Sequence, residues 1–97
     1  MAKFVVPTKW QWPNGVPRAE TMQDWHREHR TNSKAEDNIW WRIDENTHQS
    51  VIIYASEQDA KDELAIRHNQ RKKSIDETGH EMVEETMGPV LSIMSDV

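Results

Sequence analysis

The sequence predicts a single α+β domain that spans residues 1–97, and three observations support this prediction. A chain of 97 residues falls at the lower end of single-domain size, so a second domain is not expected. Two segments carry apolar residues at helical spacing, and four others have the β-branched or alternating pattern of strands. These segments follow one another as strand, helix, strand, strand, helix and strand, which is typical of an α+β domain.

The first strand is predicted over residues 3–12, because alternate side chains there form one largely apolar face. Pro7 lies inside this segment and donates no ladder hydrogen bond, so we expect a bulge or a change of pairing near it. The strand ends at a turn over residues 13–15, since Asn14 and Gly15 tolerate positive φ. The side chains on the apolar face are Phe4, Val6, Thr8, Trp10 and Trp12.

The first helix is predicted over residues 18–30, after Pro17, which is favoured in a first helical turn. Residues 31–38 are polar and are predicted to form a loop. The inward stripe of the helix comprises Ala19, Met22, Trp25 or His26, and His29.

Two strands are predicted in the middle of the chain, over residues 39–44 and 50–55, with a polar turn over residues 45–49. The second of these strands is apolar on both faces at residues 51–54, which indicates a central strand covered on both sides. In the first of them, Ile39, Trp41 and Ile43 alternate with Trp40, Arg42 and Asp44.

The second helix is predicted over residues 56–78. Ser56 followed by Asp59 resembles an N-cap with an acidic residue at the third helical position, and Gly79 is a left-handed stop. The last strand is predicted over residues 81–94, with a kink and an edge position at Gly88 and the proline after it. The inward stripe of this helix comprises Ala60, Leu64, His68, Arg71 and Ile75.

This order of elements in a chain of nearly one hundred residues resembles the dimeric α+β barrel superfamily. Right-handed crossovers bring the two halves into one antiparallel sheet of ferredoxin-like βαββαβ topology, with two helices on one face. The other face of the sheet is then bare. Burying it requires a second sheet, which an identical chain related by a two-fold axis supplies. We therefore expect a homodimer whose sheets pack face to face.

Composition excludes several kinds of partner and site. The chain has no cysteine, so it has no disulfide, thiol nucleophile or thiolate metal site. A net charge of −5 opposes binding to phosphate backbones, and we expect no nucleic-acid partner. The apolar run at residues 4–6 is shorter than a signal peptide needs, and no segment reaches membrane-spanning length. We expect a cytoplasmic protein without a membrane partner. The basic cluster, which we expect to be a solvated helix face, comprises Arg67, Arg71, Lys72 and Lys73.

The resemblance also implies where a ligand site would lie. Members of the superfamily include cofactor-independent monooxygenases, isomerases and haem-degrading enzymes, and their cavity typically lies between the sheet and the helices of one protomer. The alternative is that the large rings fill the core or the dimer interface. The binding candidates are Trp10, Trp25, Trp41 and Tyr54, with Trp12 as a further candidate.

Histidines are the candidate catalytic groups. His26 is the preferred general base because it adjoins Trp25 on the inward stripe and histidine titrates near neutral pH. His68 resembles the haem-ligating histidine of the haem-degrading branch, but the first strand lacks that branch's asparagine, and we expect no haem or other cofactor. His26 and His29 lack a third ligand at helical spacing, so no metal site is expected. The remaining histidines, His48 in a turn and His80 after Gly79, are expected to be exposed.

Three functional hypotheses follow. The first is a homodimer that binds a small apolar or aromatic molecule. The second is a cofactor-independent monooxygenase or isomerase with His26 or His68 as its base, and the third is a structural or interaction module whose tryptophans fill the interior. A cavity of roughly 300 Å³ or more beside a histidine would favour the first two, whereas a filled interior would count against both.

Overall fold

The computed structural model describes residues 2–97, apart from the side chains at positions 70, 71 and 73–78. It contains an antiparallel sheet and two helices, and it confirms the predicted α+β order. The elements in chain order are β1 (Phe4–Gln11), α1 (Ala19–His29), β2 (Asp37–Asp44), β3 (Thr47–Tyr54), α2 (Glu57–Thr78), β4 (Glu81–Glu85), β5 (Gly88–Pro89) and a 3₁₀ turn (Met94–Asp96).

The strands form one sheet in the order β2-β3-β1-β4, and β5 pairs with β1 beside β4. The central pair, β1 and β3, is antiparallel along its whole length, from Phe4 opposite Tyr54 to Gln11 opposite Thr47. Each helix connects two parallel strands that have a third strand between them. This arrangement is compatible with a ferredoxin-like fold.

The expected change of pairing near Pro7 is confirmed. β4 pairs with residues 8–11 of β1 and β5 pairs with residues 4–5, so the ladder on this side is interrupted where Pro7 has no N–H to donate. The Pro7 carbonyl accepts a hydrogen bond from the Thr86 amide at 3.1 Å. The last strand is therefore shorter than predicted, because it ends at Glu85 and resumes only for two residues.

Local signals for helix and strand ends are also confirmed. Gly15 and Gly79 both adopt positive φ, at 95° and 74°, where a side chain would strain the backbone. The Ser56 hydroxyl accepts a hydrogen bond from the Asp59 amide at 3.2 Å, which caps the start of α2.

The β2–β3 turn is shorter than predicted. Only Glu45 and Asn46 separate the two strands, and the Asp44 carboxylate accepts a hydrogen bond from the Asn46 amide at 2.9 Å. His48 therefore lies within β3 and is 4% exposed, and His80 before β4 is 6% exposed. The expectation that both histidines are solvent-exposed was wrong, because the short turn brings His48 into the sheet and His80 packs against its end.

The two faces of the sheet are covered differently. Phe4, Val6 and Tyr54 lie on one face and pack with Ala60 of α2, and α1 contacts the same face through a ring stack of Trp25 on Trp12. We call the opposite face the open face. Its outer residues on β2, Ile39 and Trp41, are nearly half exposed. The apolar residues that cross-strand pairing places on the open face are Val5, Pro7, Ile39, Trp41, Val51 and Ile53.

The buried stripe of α2 differs from the predicted one. Ala60, Glu63 and Arg67 are buried, whereas His68 is exposed. The interpretation of the basic cluster as a solvated face was wrong for Arg67, because its guanidinium bonds to Tyr54 beneath the helix. The side chains of Arg71, Lys73 and Ile75 lie outside the described residues, and Lys72 is exposed.

In the part of the chain that the structure describes, neither helix combines the length and the apolar composition needed to cross a membrane.

Candidate functional site

Tryptophan and histidine side chains meet at one end of the covered face, between the sheet and α1. They come from the ends of β1 and β4, from β2 and β3, and from α1. We call this group the His–Trp cluster. Its members are Trp10, Trp12, Trp25, Trp40, His26, His48 and His80.

Trp12 lies at the centre of the cluster. Its ring stacks on His80 with the centroids 4.0 Å apart, and on Trp25 of α1 at 6.0 Å. Trp10 contacts His80 from the next inward position of β1, at 4.9 Å, and lies parallel to His48 at 6.2 Å. The cluster is therefore a set of rings in mutual contact.

The protonation state of His48 follows from its contact with Trp12. The indole Nε1–H of Trp12 donates to His48 Nδ1 at 2.8 Å, and because an indole can only donate, Nδ1 must accept. The imidazole is therefore neutral, with its proton assigned to Nε2. Burial, together with the neighbouring His80, lowers the pKa of His48 to about 4. Burial also lowers the pKa of His80 below its ordinary value.

His26 on α1 has a nitrogen atom with no hydrogen bond in the described structure. The centroid of its ring lies 3.6 Å from the centroid of the Trp40 ring, and its Nε2 is buried without a hydrogen-bond partner. Burial lowers the pKa of His26, while Asp37 acts in the opposite direction. At neutral pH the imidazole is uncharged and has a nitrogen atom free to bond to a ligand.

The attachment of α1 to the sheet is light. None of its residues is buried, and Arg18 at its N-cap makes no side-chain capping hydrogen bond. Two ring contacts join the helix to the sheet, those of Trp25 with Trp12 and of His26 with Trp40. α1 therefore covers the His–Trp cluster through these ring contacts and without a buried side chain of its own.

A second polar group lies under α2, and we call it the Tyr–Glu–Arg triad. The Tyr54 hydroxyl donates to Glu63 Oε2 at 2.8 Å and accepts from Arg67 Nη1 at 2.9 Å. Glu63 also accepts hydrogen bonds from the Lys34 amide and, at 3.3 Å, from the Ser33 hydroxyl. Burial and the Glu63 carboxylate raise the pKa of Tyr54 to about 12. The triad therefore ties the loop before β2 to α2 and the sheet.

The structure separates the residues that the sequence proposed as one site. Trp10, Trp25 and His26 lie together in the His–Trp cluster. Trp41 lies on the open face, and Tyr54 lies in the Tyr–Glu–Arg triad. His68 is exposed on α2.

Sequence reasoning missed three members of the cluster. Trp40 was passed over for Trp41 because alternation shows that the two lie on opposite faces but does not show which face is covered. His48 and His80 were assigned to exposed positions. A two-residue turn at Glu45 and Asn46 was the signal that would have placed His48 opposite Trp10.

Among the described residues, two surface clefts stand out, and no histidine lines either of them. The larger, about 490 Å³, lies at the edge of the His–Trp cluster, where Trp12 forms one wall. The smaller, about 260 Å³, has Trp41, Lys9 and Glu84 in its walls. The residues around the larger cleft are Gln11, Trp12, Pro13, Asn46, Thr47, Gly79 and Glu81.

Among the described residues, no group of three or more His, Asp or Glu side chains has an arrangement that could hold a metal ion. The chain matches no protein-family model, and no curated protein sequence matches it.

Proposed function

We propose that this chain is a homodimeric ferredoxin-like protein of the dimeric α+β barrel type that binds a small planar aromatic molecule at the His–Trp cluster, beneath α1. One observation carries the proposal. Three imidazoles with lowered pKa values, those of His26, His48 and His80, lie in ring contact with tryptophans under a helix that buries no residue of its own.

The His–Trp cluster contributes less to stability than an aliphatic core of the same size would. Burying an imidazole costs free energy unless both nitrogen atoms are hydrogen-bonded, and Nε2 of His26 is not. Aliphatic side chains would fill the same space without that cost. Shifted pKa values and broken packing rules concentrate at functional sites, which favours a role for the cluster beyond packing.

A ligand reaches the cluster when α1 lifts away from the sheet. The ring centroids are 3.6–6.2 Å apart, which leaves no slot for another ring while α1 is docked. Lifting α1 moves Trp25 off Trp12 and His26 off Trp40, which opens a gap with Trp25 and His26 on its helix side and Trp12 and Trp40 on its sheet side. A planar ligand then stacks on those two rings, and the 490 Å³ cleft beside Trp12 gives it an entrance.

The chemistry of the cluster defines the class of ligand. Indole and imidazole faces favour flat, conjugated rings. The free nitrogen of His26 suits a ligand hydroxyl, because a phenol or enol can either donate or accept a hydrogen bond. Neutral imidazoles add no charge that would select an anion, so the ligand class is a small, uncharged phenol-like or enol-like aromatic.

A catalytic role is a second candidate, and the free nitrogen of His26 favours it. A neutral imidazole beside a bound enol or phenol can take its proton, which is the first step of both an isomerisation and a cofactor-independent oxygenation. Asp37 and His29 lie near enough to act on the pKa of His26, but no described residue forms a hydrogen bond with its Nε2 and orients it, so binding is the more economical proposal.

The interaction-module hypothesis is favoured by the ring contacts themselves. With α1 docked, tryptophans and histidines fill the space between helix and sheet. The two hypotheses differ in one property: a module needs α1 to stay docked, whereas a binding protein needs it to move.

The homodimer in this proposal uses the open face. Val51 and Ile53 of β3 lie in its centre, flanked by Val5 and Pro7 of β1. A single layer of helices contacts the other face, so an identical sheet related by a two-fold axis is the simplest cover. Ile53→Lys should therefore dissociate or unfold the dimer, because a buried charge without a partner is costly. Thr21→Lys on the exposed side of α1 is the matched control, and a folded parent monomer in light scattering at micromolar concentration would contradict the dimer.

Ligand binding is tested by titration with 1-naphthol and related phenols, followed by calorimetry. The parent protein should bind saturably, and Trp25→Ala should weaken the affinity at least severalfold while the dimer persists. Trp41→Ala is the matched control, because that ring lies on the open face and should not affect binding. Absence of saturable binding across the panel, or an equal effect of the Trp41 variant, would exclude the site and favour the interaction module.

A further inference from the structure

Arg67 is a buried cation that has no direct counter-ion among the described residues. It is 7% exposed, and its Nη1 donates to the neutral hydroxyl of Tyr54 at 2.9 Å. No described carboxylate forms a salt bridge with it. Its Nε is buried and makes no hydrogen bond with a described residue. Buried guanidinium groups are normally paired, so Arg67 has a capacity to bind an acceptor that the described part of the chain does not use.

Glu63, the acidic member of the Tyr–Glu–Arg triad, does not fill this role. Its carboxylate accepts hydrogen bonds from the Tyr54 hydroxyl, the Ser33 hydroxyl and the Lys34 amide, which together occupy both oxygens. The Tyr54 hydroxyl bonds to both charged groups and stands between them. The two charges of the triad are therefore linked through a neutral group, and the guanidinium keeps donors to spare.

The spare donors of Arg67 form a two-pronged edge. In a planar guanidinium, Nε and Nη2 present parallel N–H groups along one edge, and Nη1 is not part of that edge. Two parallel donors match the two oxygens of a carboxylate, and such charge-assisted pairs are roughly twice as strong as neutral hydrogen bonds. A carboxylate can therefore bind at this edge while Nη1 keeps its bond to Tyr54. The guanidinium and the Tyr54 hydroxyl would then lie between the ligand and Glu63, which limits the repulsion between the two carboxylates.

We propose that Arg67 binds the carboxylate of a small organic acid through its Nε–Nη2 edge, beneath α2. The net charge of −5 disfavours anions of higher charge, so a monocarboxylate fits better than a phosphate. The acid must be small, because Arg67 lines neither of the two clefts described above. Part of the residue already reaches the surface, and its long, flexible side chain can shift to bring this edge to the ligand.

NMR of the full chain with nitrogen-15-labelled arginine tests the inference, with sodium acetate as the probe. Acetate replaces sodium chloride stepwise, so that the ionic strength stays constant. The Nε–H signal of Arg67, identified by its loss in Arg67→Lys, should shift saturably because a carboxylate oxygen accepts its proton. The Nε–H signal of Arg42, whose side chain is exposed, should move little because exposed ion pairs are weak.

The variant Arg67→Lys tests the two-pronged edge itself. Lysine keeps the positive charge but lacks the parallel donors, so the dissociation constant for acetate, measured from backbone amide shifts, should rise at least about tenfold. The matched control Arg42→Lys makes the same change at an exposed position and should keep the dissociation constant of the parent. If Arg67→Lys does not fold, the titration of the parent protein decides alone, with its arginine signals assigned by through-bond NMR.

Each contrary outcome counts against one part of the inference. Absence of a saturable Arg67 Nε–H shift in the parent would overturn the site. An equal shift with inorganic phosphate at the same ionic strength would overturn the choice of a carboxylate, and an unchanged dissociation constant in a folded Arg67→Lys would overturn the two-pronged edge. None of these results depends on 1-naphthol binding, because Arg67 does not belong to the His–Trp cluster.

Discussion

The two helices cover the same face of the sheet but are attached to it in different ways. α2 buries Ala60 in the core and is held by the Tyr–Glu–Arg triad, in which Glu63 accepts three hydrogen bonds. α1 buries no residue and is held by the ring contacts of Trp25 and His26. One helix is therefore held by directional hydrogen bonds, whereas the other is held by ring contacts and buries no residue.

In the proposed function, this difference separates the region that stabilises the fold from the region that would bind a ligand. Under α2, the Tyr54 hydroxyl and the Glu63 carboxylate have their hydrogen bonds made within the chain, whereas Nε of the buried Arg67 has no partner among the described residues. Groups under α1 include a free imidazole nitrogen and several aromatic faces, which a ligand can use. Ligand-binding elements are drawn from the less stable parts of a structure, and α1 fits that description.

Removing Glu63 should produce the largest effect of the variants that test this comparison. Glu63→Ala removes the acceptor of the Tyr54 hydroxyl and of the Lys34 amide, and it removes the negative charge of a triad in which the buried Arg67 donates to Tyr54. We expect a loss of about 2–4 kcal/mol in the free energy of unfolding. Urea denaturation measures it, and Glu57→Ala at the exposed start of the same helix should stay within about 0.5 kcal/mol. Similar losses in both variants would mean that the triad does not fix α2.

Lowering the pH should destabilise the His–Trp cluster and so lower the free energy of unfolding. The pKa of His48 is about 4 in the folded protein and near 6.5 when exposed, so the unfolded chain binds more protons between these values. Stability should therefore fall as the pH drops from about 6.5 to about 4, and His48 alone accounts for about 2–3 kcal/mol of that loss.

The variant His48→Asn isolates this contribution. Asparagine keeps an oxygen that can accept from Trp12 Nε1, but it does not titrate. Thermal unfolding across pH 4–7 should show a shallower pH dependence in the variant than in the parent. Identical slopes in the two proteins would mean that His48 is not a buried neutral imidazole.

Trp25→Ala should have the smallest effect on stability. Its ring is only partly buried and belongs to the lightly attached helix, so we expect a loss of about 1 kcal/mol, well below the 3–5 kcal/mol typical of buried tryptophans. Trp12→Ala, on the sheet side of the same ring stack, should cost more than Trp25→Ala, because Trp12 is buried and its indole also donates to His48. Equal losses would show that α1 is as firmly packed as the sheet.

Local sequence signals predicted most of the fold. The alternation in β1, the Ser56 cap and the glycine stops at Gly15 and Gly79 each act through neighbouring residues, so the sequence is sufficient to place them. The β2–β3 register depends on a bulge between Arg42 and Asp44, which no local pattern indicates.

The candidate site was harder to predict because it depends on contacts between distant segments. Glu63 and Arg67 have the spacing of a buried stripe, but two charged residues on a helix normally indicate a solvated face. Their burial is made favourable by groups from distant segments: the Tyr54 hydroxyl of β3 bonds to both, and Ser33 and the Lys34 amide donate to Glu63. His80 was likewise placed in solvent, since its stack on Trp12 joins segments 68 residues apart along the chain.

Native-state hydrogen exchange, measured by NMR on the full chain, tests the central claim most directly. If α1 opens to admit a ligand, its hydrogen-bonded amides should exchange with an opening free energy at least about 2 kcal/mol below that of the first three turns of α2. Addition of 1-naphthol should change the protection of α1 and leave that of α2 as it was. Equal protection of the two helices in the free protein, unchanged by the ligand, would contradict the claim that α1 is a movable cover over a binding site.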